Sequence, residues 1–223
     1  LSTGCGDFLP RIRINVTGDP VFDPNATVAD PFITLDRRAV FYDAEQNPQF
    51  NNAITSWIDA SFLYGSDDVR SINLRTMENG SMRTYPQSEG DLLPVNVVAD
   101  DSEMQNFQNS ACGFLCGDVR CEEQPNLMAW HTIWLRYHNV IADDVNAMHP
   151  EWTERQKFEY TRNIVISVFN KIVYEEWLPA MFNDPDPLGP LAPLTEPNEP
   201  PMFLHFPFAA FRFGHTMIAN EIW

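Results

Sequence analysis

The sequence predicts a mainly α-helical protein with long loops and little β structure. Three observations predict it: two segments carry helical periodicity, the regions around them are rich in proline and turn signals, and no alternating stretch is long enough to build a sheet. In the first helix Leu127, Trp130, Trp134, His138, Ile141 and Val145 recur at spacings of 3, 4, 4, 3 and 4, which is one stripe of a helical repeat. Glu122 and Glu123 ahead of Pro125 suit its amino-terminal turn, where acid meets the positive end of the dipole and proline loses no needed donor. His149-Pro150 closes it. The second helix starts after Thr153 as N-cap and runs to Trp177-Leu178 before Pro179, with Val165, Val168 and Ile172 on one stripe.

The other segments follow from their punctuation. Residues 1–50 carry Pro10, Pro20, Pro24, Pro31 and Pro48 among Asp and Asn, and read as an extended strap with little regular structure. Residues 51–78 hold a helical start, then Tyr64-Gly65-Ser66-Asp67-Asp68 and a second short helix through Ile72, Leu74 and Met77. Residues 79–118 are turn-rich, with Asn79-Gly80 and Glu89-Gly90-Asp91. Seven prolines fill residues 185–201, a loop, and from Phe206 to Ile218 the chain turns apolar again and reads as helical after Pro207.

The chain has 223 residues, 44% of them hydrophobic, enough for a sizeable core. Lys and Arg number 14 against 31 Asp and Glu, a formal net charge of -17. That field repels a phosphate backbone and an anionic membrane surface, so neither nucleic acid nor a membrane is an expected partner. No apolar run reaches the ~18 residues of a membrane span. The opening Leu-Ser-Thr-Gly-Cys and the closing Glu221-Ile222-Trp223 read as cuts in something longer. Cys112, Cys116 and Cys121 crowd together without the second half of a zinc site, and fit small buried side chains or a local disulfide. Sequons at Asn15, Asn25 and Asn79 favour an extracellular or secretory setting.

Three segments carry residues suited to chemistry. His215 lies in an apolar, aromatic stretch next to Gly214. It fits a haem ligand, although a lone histidine on an apolar face is more often a hydrogen-bonded core residue. Arg120, in a turn leading into a helix with Glu123 three residues on, places a fixed positive charge beside a carboxylate. It can meet charge developing on a bound oxygen species, or form an ordinary ion pair. Thr55, Asp59, Ser61 and the carbonyl of Trp57 offer hard oxygens of the kind calcium takes, or simply cap a helix.

In this order, the segments resemble the animal haem peroxidase family. The resembling motifs are Thr55-Ser-Trp-Ile-Asp59-Ala-Ser61-Phe-Leu-Tyr64-Gly65, Gly117-Asp-Val-Arg120-Cys-Glu-Glu123-Gln-Pro125, Arg136-Tyr-His138-Asn139 and Ala210-Phe-Arg212-Phe-Gly214-His215-Thr-Met. The wording around Trp57 and at His149-Pro-Glu-Trp152 leans towards the dual oxidase branch. The resemblance implies a partial haem peroxidase domain over residues 1–223 that uses hydrogen peroxide to oxidise a small donor such as halide, thiocyanate or phenol. It implies haem b and calcium as cofactors. His215 matches the axial ligand of the haem iron, Arg120 the distal arginine, Glu123 a carboxylate that can be esterified to haem, and Arg212 a basic residue near the proximal side. Thr55, Trp57, Asp59 and Ser61 match calcium ligands, and Cys5 matches half of a family disulfide.

The family's distal histidine and last calcium ligand belong before residue 1, and its asparagine partner of the proximal histidine belongs beyond Trp223. Gln124 stands where some members carry a haem-linked methionine. His131 and His138, seven apart on one helix, read as packing or supporting residues, and His149 and His205 as loop residues. Two rivals stay open: a non-enzymatic peroxidase-like extracellular binding or maturation module, and an acidic calcium-binding scaffold without haem.

Overall fold

A computed structural model describes residues 7–8, 12–35, 39–50, 52, 54–96, 113–190 and 202–217. The chain divides into two compact units, Leu1–Ala53 and Ile54–Trp223.

The first unit departs from the expected strap. It contains short antiparallel strands: β1 (Asp7–Phe8), β2 (Ile12–Asn15), β3 (Phe32–Leu35), β4 (Ala39–Tyr42) and β5 (Pro48–Gln49). β2 pairs with β3, Ile12 opposite Leu35 and Asn15 opposite Phe32; β4 lies between β1 and β5. Between β2 and β3 the chain turns over Asp23, which is buried and accepts from the amides of Thr27 and Val28 at 2.8 and 3.2 Å. The turn is thereby self-supported, as Asp near Pro commonly arranges.

The second unit is helical. α1 (Ser61–Tyr64) and α2 (Asp68–Leu74) precede a loop stitched by isolated bridges, Arg75 to Met82 and Tyr85 to Leu92. Met77, expected inside the second short helix, lies beyond it at φ 64. α3 (Pro125–Met148) and α4 (Glu154–Lys171) form an antiparallel pair, joined by the turn at His149-Pro150. Gln124 caps α3 through the Asn126 amide, and Thr153 with Gln156 makes a capping box at α4. Lys157, itself buried, reaches back to Asn146 Oδ1 at 2.6 Å and to the Pro150 carbonyl, so a cation sits at the negative end of α3.

The helix after α4 does not stop before Pro179. Six residues of π-helix (Ile172–Trp177) lead into α5 (Leu178–Phe182), which carries the proline in its first turn. The backbone stays helical through the junction, with the Leu178 amide donating to the Val173 carbonyl five residues back, so the π segment carries the helix past the proline.

The core gathers Leu63 and Tyr64 of α1, Leu74, Met82, Leu93 and Leu115 with Trp134 and Leu135 of α3 and Phe158 and Val165 of α4. Of the expected α3 stripe, Trp134, His138 and Val145 are buried, whereas Trp130 is 60% exposed. The Arg136–Asn139 motif clamps the 75–93 loop. Asn139 accepts from the Met82 amide at 2.8 Å and donates to the Met82 carbonyl at 3.0 Å, and Arg136 Nε donates to the Asp91 carbonyl. His138 Nε2 donates to the Gly80 carbonyl at 2.9 Å and Nδ1 accepts from the Tyr64 hydroxyl at 2.8 Å. Gly80, at φ 78, presses so close to α4 that a β-carbon would stand 2.8 Å from the Phe158 nitrogen.

Candidate functional site

The loop ahead of α3 holds Arg120 in a specific setting. Leu115 donates to the Pro94 carbonyl at 2.7 Å, and Glu122 Oε2 accepts from the Phe114 amide at 3.1 Å. A disulfide joins Cys116 and Cys121, both buried, which realises the local pairing expected for this cluster. Cys5 and Cys112 lie outside the described residues. Inside the ring, Gly117 rests on the backbone of α1 and the Asp118 amide donates to the Phe62 carbonyl at 3.0 Å.

Asp118 is Arg120's partner. Arg120 Nε donates to Oδ1 at 2.9 Å and Nη2 to Oδ2 at 2.7 Å, while the Arg120 amide also reaches Oδ1 at 2.8 Å. The carboxylate is 14% exposed and the arginine side chain 49%. Burial pushes the Asp118 carboxyl up, but the hydrogen bonds from Arg120 outweigh it and hold it below the usual carboxylate range. The same bonds raise the guanidinium above its ordinary value. Nη1 has no hydrogen-bond partner among the described residues, so one edge of a fixed cation stays available. Glu123, whose amide donates to the Arg120 carbonyl at 2.9 Å, is exposed. The spacing in the sequence sets Glu123 beside Arg120, whereas the structure pairs Arg120 with Asp118. The usable signal was the Asp-x-Arg spacing in a turn, where a side chain two residues back folds over the backbone.

The histidines of α3 are committed to the fold, as expected of both. Burial pushes His138 down to about 4. His131 Nδ1 meets the Leu127 carbonyl at 2.8 Å, its ring stands edge-on to Phe62 at 5.4 Å, and burial lowers its pKa. A cavity of about 10 Å³ lies beside it, lined by Phe62, Leu63, Gly117 and Leu135, too small for any prosthetic group. His149 stacks on Trp152 with ring centroids 3.8 Å apart. His205, expected in a loop, opens α6 (His205–Phe208).

In the Thr55–Ser61 segment the oxygens serve local turns. Thr55 Oγ1 accepts from the Trp57 amide at 2.9 Å and Asp59 Oδ1 from the Ser61 amide at 3.0 Å, next to Ala60, buried at φ 56. Among the described residues no three His, Cys, Asp or Glu side chains converge on one point.

His215 and Arg212 lie on a 3-10 helix (Ala210–Met217) that packs on α6 and on no other described element. Among the described elements none joins that helix to α3, which follows Arg120. Arg212 Nε donates to the Pro207 carbonyl at 3.1 Å. His215 is exposed, its ring has no hydrogen-bond partner among the described residues, and a β-carbon on Gly214 would meet nothing within 4 Å. Phe203, Phe206, Phe208, Phe211 and Met217 are also exposed. In donor chemistry this set fits a haem: an unengaged imidazole among aromatic residues, and a cation with one open edge on another segment. Glu123 also offers an exposed carboxylate.

Comparison with known proteins gives these features their context. The chain is 29% identical over 235 residues to a dual oxidase of Drosophila melanogaster, covering 99% of this chain and 15% of that protein. It is 35% identical over 182 residues to a peroxidasin homologue of Caenorhabditis elegans, covering 77% of this chain and 14% of that protein. The chain thus spans only a small part of these relatives. Among solved structures, peroxidase A from Dictyostelium discoideum superposes with a TM-score of 0.77 at 29% identity, covering 92% of this chain and 42% of that one. A fatty acid alpha-dioxygenase of Arabidopsis thaliana, at 18% identity and a TM-score of 0.57, shares the fold. The profile of the animal haem peroxidases matches residues 9–223, and the chain belongs to that family.

Proposed function

We propose that these 223 residues form part of a haem peroxidase domain in which hydrogen peroxide oxidises a small donor such as halide, thiocyanate or phenol. The observation that supports it most is Arg120. Its charge is fixed by Asp118, the loop is docked on α1, and the Nη1 edge is free to meet negative charge developing on a peroxide oxygen. Haem b, when bound, supplies the redox chemistry.

In this reading His215 would hold the haem iron, Glu123 would supply a carboxylate for an ester to the group, and Arg212 would add positive charge on the same side as His215. Thr55, Asp59, Ser61 and the Trp57 carbonyl contribute to a calcium site completed from elsewhere. The proton of peroxide needs a base; His138 has both ring nitrogens bonded within the fold, and His131, bonded through Nδ1, has its unpaired Nε2 buried away from peroxide. That base then comes from sequence outside these 223 residues, so this chain by itself turns over little peroxide. The exposed Asn15, Asn25 and Asn79 and the Cys116–Cys121 disulfide support glycosylation and an extracellular or secretory location.

A second reading keeps a specific observation: among the described residues no element joins the His215 helix to α3. A peroxidase-like binding or maturation module without haem chemistry fits that as well. Haem titration of the intact protein, followed by its visible absorption, separates the two. Tight binding lost in His215→Ala supports the peroxidase, and no binding by the parent protein supports the module.

A further inference from the structure

The ring closed by Cys116 and Cys121 has a sequence separation of five and contains Gly117, Asp118, Val119 and Arg120. A ring this short removes little entropy from the unfolded chain, so its effect falls on local geometry more than on global stability. The bonds that fix the Arg120 side chain start within it, while its carbonyl accepts from the Glu123 amide just outside. The Asp118 amide is tied to the Phe62 carbonyl, the Cys121 amide to the Asp118 carbonyl at 3.3 Å, and the Asp118 carboxylate takes both Nε and Nη2 of Arg120. On the other side, Arg70 Nη1 donates to the Cys116 carbonyl at 3.2 Å, from an arginine that is itself buried.

We infer that the Cys116–Cys121 disulfide and Asp118 together are a positioning device for Arg120, set only in an oxidising compartment. This rests on the proposed role of Arg120 for its purpose, though not for its test. Without the ring, residues 117–120 have turn-like freedom. The Asp118 amide on the Phe62 carbonyl and its carboxylate on the guanidinium are then no longer held in register by a covalent tie. With it, the aspartate is fixed first and the arginine follows, leaving Nη1 as the open edge. Closing the ring removes a hydrogen from each thiol; two electrons and two protons pass to a partner disulfide, which leaves as a dithiol. In a reducing compartment the thiols persist and the arginine is loosely held.

The test uses the full-length protein secreted from a eukaryotic host and needs no haem. Tryptic digestion after alkylation without reduction cuts behind Arg120 and leaves the Cys121 peptide joined to the peptide that carries Cys112 and Cys116, and fragmentation of the pair reads the bond at Cys116 with Cys112 outside it. Phenylglyoxal then reads how firmly Arg120 is held, with Arg136 as the internal reference. Cys116→Ser/Cys121→Ser and Asp118→Asn are each expected to raise Arg120 labelling about five-fold, the size of a partly exposed bidentate ion pair, with Arg136 unchanged. Alkylation at Cys116 or Cys121 in the parent protein, or Arg120 labelling unchanged in the variants, overturns the inference. If the double variant does not accumulate, the peptide map and Asp118→Asn decide it. Haem binding with unchanged labelling removes only this inference, whereas altered labelling without haem binding removes only the peroxidase.

Discussion

Gly117 lies against the carbonyl of Phe62 so closely that a β-carbon would stand 2.4 Å from that oxygen and 2.6 Å from the Leu63 carbonyl carbon. Both obstacles are backbone. This contact joins the segment with the calcium-like motif to the loop that holds Arg120.

Gly117→Ala is therefore expected to lift the loop from α1. The cost is about 2–3 kcal/mol, the range for forced overpacking in a rigid site. Urea unfolding of the parent and variant chains measures it. A loss within experimental error of zero means that the loop can move aside freely.

His138 gives a pH dependence of definite sign. Its folded pKa is about 4 against 6.5 for the free side chain, so the unfolded chain binds the proton more readily between those values. The contribution is whole above about pH 6.5 and is lost as pH falls towards 4, on the order of 3 kcal/mol across the window. Unfolding free energy measured at a series of pH values should show that slope in the parent and a flatter one in His138→Asn. Equal slopes in the two proteins would show that another group carries it.

Asn139 pairs with the backbone of Met82 as a strand would, through one donor and one acceptor. Asn139→Ala leaves both Met82 groups unpaired and is expected to cost about 2 kcal/mol. Hydrogen exchange at the Met82 amide checks this directly: protection should fall in the variant, and unchanged protection would mean that water replaces the side chain without loss.

Thr153 caps α4 with the reciprocal Gln156 bond, so Thr153→Ala is expected to destabilise by about 1 kcal/mol. Thermal unfolding followed by circular dichroism measures it. No shift in the midpoint would show the cap to be redundant with the ion pair between Arg75 and Glu154 nearby.

The two long helices, the cap at Thr153 and the predominance of α structure were legible because each depends on neighbours along the chain. Periodicity, capping and proline act within a few residues. The strands of residues 7–49 were not legible: at two to four residues they are too short to show alternation, and pairing with a distant strand defines them. Trp130 follows the helical stripe yet faces outward, because the stripe gives a direction and only the packing of α1 and α4 selects what is covered. Family membership could be read from the order of four motifs, and the profile match agrees. The Asp-x-Arg turn offers Asp118 as locally as Glu123 is offered, and the tertiary structure decides between them. The rule that pairs residues three apart applies on a formed helix, and Arg120 lies in the turn before one, where the tie from Asp118 to Phe62 fixes which carboxylate is within reach.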